Sequence, residues 1–266
     1  MSIDDFTIDK VNLTIPGLDR VYTFLHFSDT HIAYAFSDES DEAKAFAVQQ
    51  TDRWNEAGIT PPDAFDTILD YANEINADAL MIAGDCVDYH TTGCVKYVTD
   101  KLQSTGRELL YVRGNHELCA YFGHISSPAA YEHLMCGDNS LWVRDYGAFL
   151  VVGIDDSDKN IQPEQLEKLR ELLGRNIPIL LLMHIPVLQR DEIPGLDDYF
   201  LMGLESDPET TRQFCAMVRD PSNSIKAVFA GHIHFAAVTE PAPGRKQYIS
   251  APGFKKYVRV VMVTGE

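Results

Sequence analysis

Glu108-Leu-Leu-Tyr-Val-Arg-Gly-Asn-His-Glu117 passes from an apolar run into a glycine and then into three polar side chains. This pattern is typical of a buried strand that ends in a chemically reactive loop. Ligands of open parallel sheets bind beyond the carboxyl ends of the strands. Asn115, His116 and Glu117 are therefore expected at an edge of the sheet where ligands bind, provided that other strands deliver partners to the same place.

Other predicted strands also end in side chains that can bind a metal ion. Residues 21–27, 79–83, 177–183 and 225–230 are apolar runs, and the polar residues that follow them are Asp29 and His31, Asp85, His184, and His232 with His234. Five of the nine histidines thus fall at strand ends, which scattered structural histidines would not be expected to do. The other four are interpreted as core or surface residues: His26, His90, His124 and His133.

Strands alternate with amphipathic helices in the first half of the chain. Helices are predicted at residues 43–54, 65–76, 93–103, 163–173 and 209–218, with Asp63 as the N-cap of the second. The alternation up to residue 117 implies an α/β fold with right-handed parallel crossovers. Residues 6–15 are predicted to form a hairpin through the turn at Pro16-Gly17, and residues 235–239, 246–250 and 257–263 to form short antiparallel strands.

Length and composition indicate a globular protein rather than a membrane protein or a nucleic-acid-binding protein. The 266 residues, 45% of them hydrophobic, are predicted to form one domain over residues 1–266. Neither a signal peptide nor a run of about 18 to 20 apolar residues is recognised, which predicts a cytoplasmic protein with no membrane partner. The formal charge of −18 argues against long nucleic acids, whose partners present a basic face.

The cysteines fit a reducing compartment. Their number is odd and they form no Cys-x-x-Cys pair, so a zinc-ribbon reading has almost no support and free thiols are expected: Cys86, Cys94, Cys119, Cys136 and Cys215. The sequence leaves the oligomeric state open.

The donor types at the strand ends predict a pair of metal ions. Carboxylate, imidazole and amide oxygen together suit Mn, Fe or Zn, whereas an all-oxygen set would indicate Mg or Ca. Three carboxylate or amide donors and four imidazoles are too many for one ion. Two divalent metal ions that share a bridging carboxylate would accommodate all seven donors. The two ions of such sites lie about 3.5 to 4 Å apart.

The polar residues at the strand ends form an ordered set of motifs, and this set resembles the calcineurin-like metallophosphoesterases. The motifs are Asp29-Thr30-His31, the Gly-Asp-x-x-Asp of residues 84–88, the Gly-Asn-His-Glu of residues 114–117, the lone His184, and the Gly-His-x-His of residues 231–234. Each motif alone is weak, but five in this order, each after a predicted strand, are specific. The resemblance covers the chain from about residue 20 to 240.

The resemblance implies a fold and a ligand set. The fold is a four-layer α/β/β/α sandwich with mixed sheets and a metal site at the carboxyl ends of the central strands. One ion would be held by Asp29, His31, Asp85 and His234, and the other by Asp85, Asn115, His184 and His232. His116 would act as general acid or as a clamp on the phosphate, and Glu117 would orient its ring.

The implied activity is metal-dependent hydrolysis of a phosphoester. The two cations would neutralise phosphate oxygens and acidify a bridging water, and the resulting hydroxide would attack phosphorus in line. Acidic insertions at about residues 34–62 and 185–220 are expected to cap a small mono- or diester substrate. The alternatives are a catalytically silent metal-binding or protein-binding scaffold, which would require lost ligands, and a nuclease, which the charge disfavours.

Three further positions bear on the branch of the family. Asp88 stands where purple acid phosphatases, by resemblance, have a tyrosine ligand, and it is interpreted as a helix cap or a partner of a ligand. Arg113 precedes the Gly-Asn-His-Glu motif as it does in protein serine/threonine phosphatases, although the second arginine of those enzymes is missing here. The acidic run at residues 155–158 is interpreted as a solvated loop rather than a third metal site.

Overall fold

Eleven strands form two mixed sheets in residues 2–119 and 140–265, the parts of the chain described by the structure, a computed structural model. The first sheet has the order β1 (Thr7–Thr14), β11 (Tyr257–Thr264), β2 (Tyr22–Phe27), β3 (Ala79–Ala83) and β4 (Glu108–Val112). The second has the order β5 (Leu141–Asp145), β6 (Leu150–Ile154), β7 (Ile179–Leu182), β8 (Ile225–Ala230), β10 (Arg245–Ile249) and β9 (Ala237–Ala242).

The predicted helices are all present. They are α1 (Asp41–Arg53), α2 (Pro61–Glu74), α3 (Thr92–Ser104), α4 (Pro163–Gly174) and α5 (Glu209–Arg219). The prediction of Asp63 as a cap was wrong, because Thr60 is the N-cap of α2 and its hydroxyl accepts the backbone N–H of Asp63. Pro61 and Pro62 begin this helix, where a missing N–H costs nothing.

Side chains on alternate faces of the strands divide the interior into layers. Leu180 and Leu182 of β7 face the first sheet and join the large core that α2 and α3 cover. Ile179 and Leu181 face the other way, into a second core closed by α4 and α5. The predicted four-layer α/β/β/α arrangement is therefore confirmed, and β7 is apolar throughout because both of its faces are buried.

Strand pairing differs from the prediction at the two ends of the chain. The predicted hairpin at Pro16-Gly17 is wrong, because β11 lies between β1 and β2, parallel to the first and antiparallel to the second. Residues 257–263 are thus not part of a terminal antiparallel group. The side chains of β11 are almost continuously buried, so this strand requires neighbours on both sides.

The histidines not assigned to the metal site, and the cysteines, lie partly outside the described residues. His26 and His90 are buried, whereas His124, His133 and Cys136 lie outside the described residues. The cysteines that the structure describes are unpaired thiols. Within the described ranges, no helix has both the length and the apolar character needed to cross a bilayer.

Candidate metal centre

The carboxyl ends of strands from both sheets bring the predicted ligands into two clusters. Asp29, His31, Asp85 and His234 place one ligand atom each within 4.8 Å of one another, and so do Asp85, His184 and His232. Asp85 belongs to both clusters. The side-chain oxygen of Asn115 lies 3.2 Å from Nε2 of His184, so the seventh predicted ligand is adjacent as well.

The backbone at these residues adopts a conformation that L-amino acids rarely use. Nine non-glycine residues of the described chain have positive φ, and five of them are predicted ligands: Asp29 (53°), His31 (45°), Asp85 (52°), His232 (74°) and His234 (59°). A left-handed conformation costs about 1 to 3 kcal/mol per residue and persists only where the surroundings enforce it. The surrounding structure therefore enforces the strained turns that place the ligand side chains in the cluster.

The glycines of the motifs leave room for the side chains of the ligands. A Cβ atom on Gly114 would lie 2.2 Å from Oδ1 of Asp85, and one on Gly231 would lie 2.7 Å from Oδ2 of Asp29. Both distances are far below van der Waals contact. These glycines are required because the backbone passes directly beside the carboxylates.

The electrostatics of the clusters fit divalent cations. Asp29 and Asp85 are buried, and their ion-pair partners in the described part of the chain are histidines alone. Burial opposes ionisation of Asp29, but a hydrogen bond with His234 and the charges of His234 and His184 lower its pKa to about 2. Two ionised carboxylates in a buried site need compensating positive charge, which metal ions of this donor preference supply.

The imidazoles are oriented toward the interior of the clusters. Nε2 of His31 and Nε2 of His234 face each other at 3.1 Å, a separation that requires a proton or a cation between them. Nδ1 of His184 lies 2.7 Å from the carbonyl oxygen of Ala83. Donation of the Nδ1 proton to that carbonyl makes Nε2 the nitrogen that faces Asp85, 3.3 Å away, where a bound cation would replace its proton, as in metal-ligating histidines.

Asp88 is the common partner of the two imidazoles on one side of the site. Its Oδ1 lies 3.2 Å from Nδ1 of His31 and 3.4 Å from Nδ1 of His116. Burial would lower the pKa of His116, but the hydrogen bond with Asp88 and the charge of Asp85 raise it to about 9. The prediction that Asp88 is a partner of a ligand agrees with this geometry.

The predicted contact between Glu117 and the ring of His116 is not formed. The carboxylate of Glu117 is buried and accepts backbone N–H groups of Gly114 at 2.6 Å, Asp85 at 2.9 Å and Cys86 at 2.7 Å. These hydrogen bonds fix the two loops that carry Asp85 and Asn115. Asp88 occupies the place beside His116 that was expected for Glu117.

The acidic run at residues 155–158 is not the solvated loop that was expected, and one of its carboxylates pairs with Arg113. Asp156 is fully buried rather than solvated, and it accepts the backbone N–H groups of His184 at 2.9 Å and Ile185 at 2.8 Å. Burial raises the pKa of Asp156 to about 7, against the opposing effect of His184. The guanidinium of Arg113 pairs with Asp155, so Arg113 is occupied by a carboxylate of its own chain.

Several aromatic residues beside the site were not identified from the sequence, and Trp54 and Tyr199 are two of them. Trp54, at the end of α1, stacks on His31 with 4.4 Å between ring centroids and donates from Nε1 to Oδ1 of Asp88 at 2.8 Å. Tyr199 lies 5.8 Å from the ring of His232. Both belong to the two insertions, and only their aromatic character amid acidic segments could have indicated them.

Comparison with solved structures gives the same fold at low sequence identity. A dimetal phosphatase from Danio rerio matches with a TM-score of 0.59 and 15% identity, over 89% of each chain. A purple acid phosphatase from yellow lupin seeds matches with a TM-score of 0.57 and 13% identity, over 90% of this chain and 45% of that one. Comparison with curated proteins gave no match.

Membership of a family rests on the sequence itself. Residues 22–236 match the family described as calcineurin-like phosphoesterase, and this range includes all five motifs and most of the chain. The chain belongs to the calcineurin-like phosphoesterase family.

Proposed function

We propose that this protein hydrolyses a small phosphoester, either a mono- or a diester, with two divalent metal ions. The observation that carries the proposal is the pair of buried clusters that share Asp85 where strands of both sheets end. The first ion would be held by Asp29, His31, Asp85 and His234, and the second by Asp85, Asn115, His184 and His232. The mixture of imidazole and carboxylate favours Mn, Fe or Zn.

The chain's own residues prepare the site for a phosphate. Ions bound there supply Lewis acidity and a water nucleophile of lowered pKa. Asp29 and Asp85 hold the ligand loops through backbone contacts as well, since Asp29 accepts the N–H of His232 at 3.1 Å and Asp85 that of His116 at 2.8 Å. The same carboxylates therefore fix the backbone of neighbouring ligands. Because the site is organised in advance, little of it has to rearrange during the reaction.

We assign proton transfer to His116. Its side chain is 24% exposed, and Nδ1 lies 2.7 Å from the carbonyl oxygen of Asp88, which leaves Nε2 as the nitrogen that can reach a substrate. An imidazolium held by Asp88 can donate a proton to the leaving oxygen or stabilise charge on the phosphate. Glu117 acts through the loops that it binds and is a positioning residue.

The preference for a small substrate follows from charge. Both insertions, at about residues 34–62 and 185–220, are acidic in a chain of net charge −18, which opposes a polyanionic backbone. We propose that the two insertions cover a small ester bound at the metal site. We also propose that residues 1–266 form one domain and that the protein is cytoplasmic.

The test is hydrolysis of paired aryl phosphate mono- and diesters by protein reconstituted with Mn, Fe or Zn, compared with the metal-free form. Metal-dependent hydrolysis of at least one ester is expected, and its absence with every metal would contradict the proposal. His116→Ala is expected to lose about 10² to 10⁴-fold in rate on an ester with a poor leaving group and much less on an activated one. Equal activity of variant and wild type on the poor ester would remove His116 from its role.

A further inference from the structure

Exposed apolar side chains are concentrated in segments that carry metal-centre motifs or contact the metal centre. Six large hydrophobic side chains are exposed in the described ranges. Leu118 follows the motif of residues 114–117, Phe235 follows His234, and Tyr199 contacts His232. Single exposed apolar residues are common, and three of the six lie on segments that carry or contact predicted metal ligands.

Of these three residues, Tyr199 is the one whose ring contacts a predicted metal ligand. It is 58% exposed, yet its ring centroid lies 5.8 Å from that of His232, at an interplanar angle of 38°. The ring therefore lies beside a predicted metal ligand, with much of its surface open to a bound molecule.

The ring is held in this position from several directions. Tyr199 lies in a 3-10 helix, Asp198–Phe200, whose N-cap Asp197 accepts its backbone N–H at 2.8 Å. The ammonium of Lys159 donates to the carbonyl of Tyr199 and lies 5.2 Å from its ring centroid. Arg190 binds Asp198 through two hydrogen bonds of 2.9 and 2.6 Å. These contacts fix the backbone that carries the Tyr199 ring.

The segment around Tyr199 is anchored to the metal-centre loop by its own small core. Leu188 and Leu201 of this segment are buried against Ile233, which lies between two predicted ligands, and against Ile249 of β10. Phe200 packs on the same core, and its ring lies 5.4 Å from that of His232. The aromatic surface and the metal ligands are thus parts of one packed unit.

The geometry points to Tyr199 as the binding surface for a flat aromatic group in the organic part of the phosphoester. This inference rests on the proposed function, because the phosphate must lie at the metal-binding residues for the organic group to reach the ring. A phenol ring stacks with a flat ring in offset or edge-to-face geometry and gains more than its buried area alone provides. An alkyl group of the same charge would lack that gain.

The test is calorimetric binding of three probes to the Mn-loaded protein: inorganic phosphate, methylphosphonate and phenylphosphonate. The wild type is expected to bind phenylphosphonate about tenfold more tightly than methylphosphonate. Tyr199→Ala should reduce this ratio to near one without changing phosphate affinity, whereas Tyr199→Phe should retain it. Val21→Ala, which alters an exposed side chain just before the amino end of β2, serves as the matched control and should also retain the ratio.

The possible outcomes separate the two proposals. If phosphate and both phosphonates bind equally, or if Tyr199→Ala keeps the preference for the phenyl group, the aromatic subsite is refuted while the metal centre stands. If phosphate itself does not bind the metal-loaded protein, the proposed function fails and the subsite with it. A melting curve equal to that of the wild type confirms that Tyr199→Ala is folded.

Discussion

Asp88 shows how one carboxylate positions two imidazoles. It lies 3.2 Å from His31 in one cluster and 3.4 Å from His116, to which we assign proton transfer. Desolvation favours the neutral acid, but the hydrogen bonds with His116 and His31 lower the pKa of Asp88. The indole of Trp54 adds a further donor to the same oxygen. Trp54 therefore supports the metal centre through Asp88 as well as by stacking on His31.

Trp54→Phe is expected to weaken metal binding about tenfold, the lower end of the range for residues that orient ligands. Phenylalanine keeps a ring over His31 but removes the Nε1 donor, so Asp88 loses one of the groups that hold it. Competition with a chromophoric chelator measures the affinity. Quenching of tryptophan fluorescence by Mn should also be lost, because the remaining Trp142 lies in the core.

Trp142→Phe is the matched control for that experiment. The indole of Trp142 likewise donates one hydrogen bond, to the carbonyl of Tyr111 at 2.8 Å, but away from the clusters. Metal affinity should be unchanged in this variant. An equal loss in both variants would mean that the effect is general destabilisation.

At the scale of single residues, the sequence indicated which side chains gather but not how each one is oriented. The order of the motifs indicated which side chains gather, from Asp29 to His234. It could not indicate that Glu117 turns toward backbone N–H groups, because two of the donors, Asp85 and Cys86, come from the loop after β3 and meet Glu117 only in the folded chain.

At the scale of elements, β5 and β6 meet through an unusual pair. Trp142 of β5 lies directly opposite Gly153 of β6, and the indole fills the space where a Cβ would stand. A Cβ on Gly153 would lie 2.1 Å from Cε2 of Trp142. Glycine is thus required here by packing, not by backbone conformation.

Gly153→Ala is expected to lower the free energy of unfolding by about 1 to 3 kcal/mol, the usual cost of overpacking a core. Urea denaturation measures it. Gly174→Ala, at the end of α4, is the control, because nothing lies within 4 Å of the added Cβ and alanine favours a helix. Unchanged stability in Gly153→Ala would show that Trp142 moves aside at little cost.

Helices and strand pairing differed in how far sequence predicted them. Helix bounds agreed to within a few residues because hydrophobic periodicity and capping are local. The place of β11 between β1 and β2 was not foreseen, since pairing between residues about 250 positions apart has no local signal.

For the whole molecule, the metal centre lies where the two sheets meet. Asp29, Asp85 and Asn115 follow strands of the first sheet, while His184, His232 and His234 follow strands of the second. His26 lies between the sheets, with its ring 5.3 Å from that of Phe229. Arg259 donates to Nδ1 of His26 at 3.3 Å, so this ring is held in its neutral form.

Stability is expected to fall as the pH drops below about 6.5, the ordinary value for histidine. Burial and the charge of Arg259 lower the pKa of His26 far below that value, against a smaller opposing effect of Asp29. The unfolded chain then binds a proton that the folded chain does not, which favours unfolding in acid. At pH 5.5 the cost for this residue is on the order of 1 kcal/mol.

His26→Gln isolates this contribution. Metal-free wild type and variant are compared by urea denaturation at pH 7.5 and 5.5, so that effects of other groups cancel in the difference between the two losses. The variant should lose less than the wild type, by on the order of 1 kcal/mol. Equal losses would show that His26 is protonated within the fold.

The sequence by itself determined the α/β class, the helices and the set of seven donor residues, because periodicity, capping and motif order are local properties of the chain. Only the tertiary structure decided the pairing of β11, the contact of Glu117 with the loop after β3, the partners of Asp88, and the approach of Trp54 and Tyr199 to the ligands. These contacts join segments far apart in sequence, and the packing of the two sheets against each other selects among many partners that local chemistry permits equally.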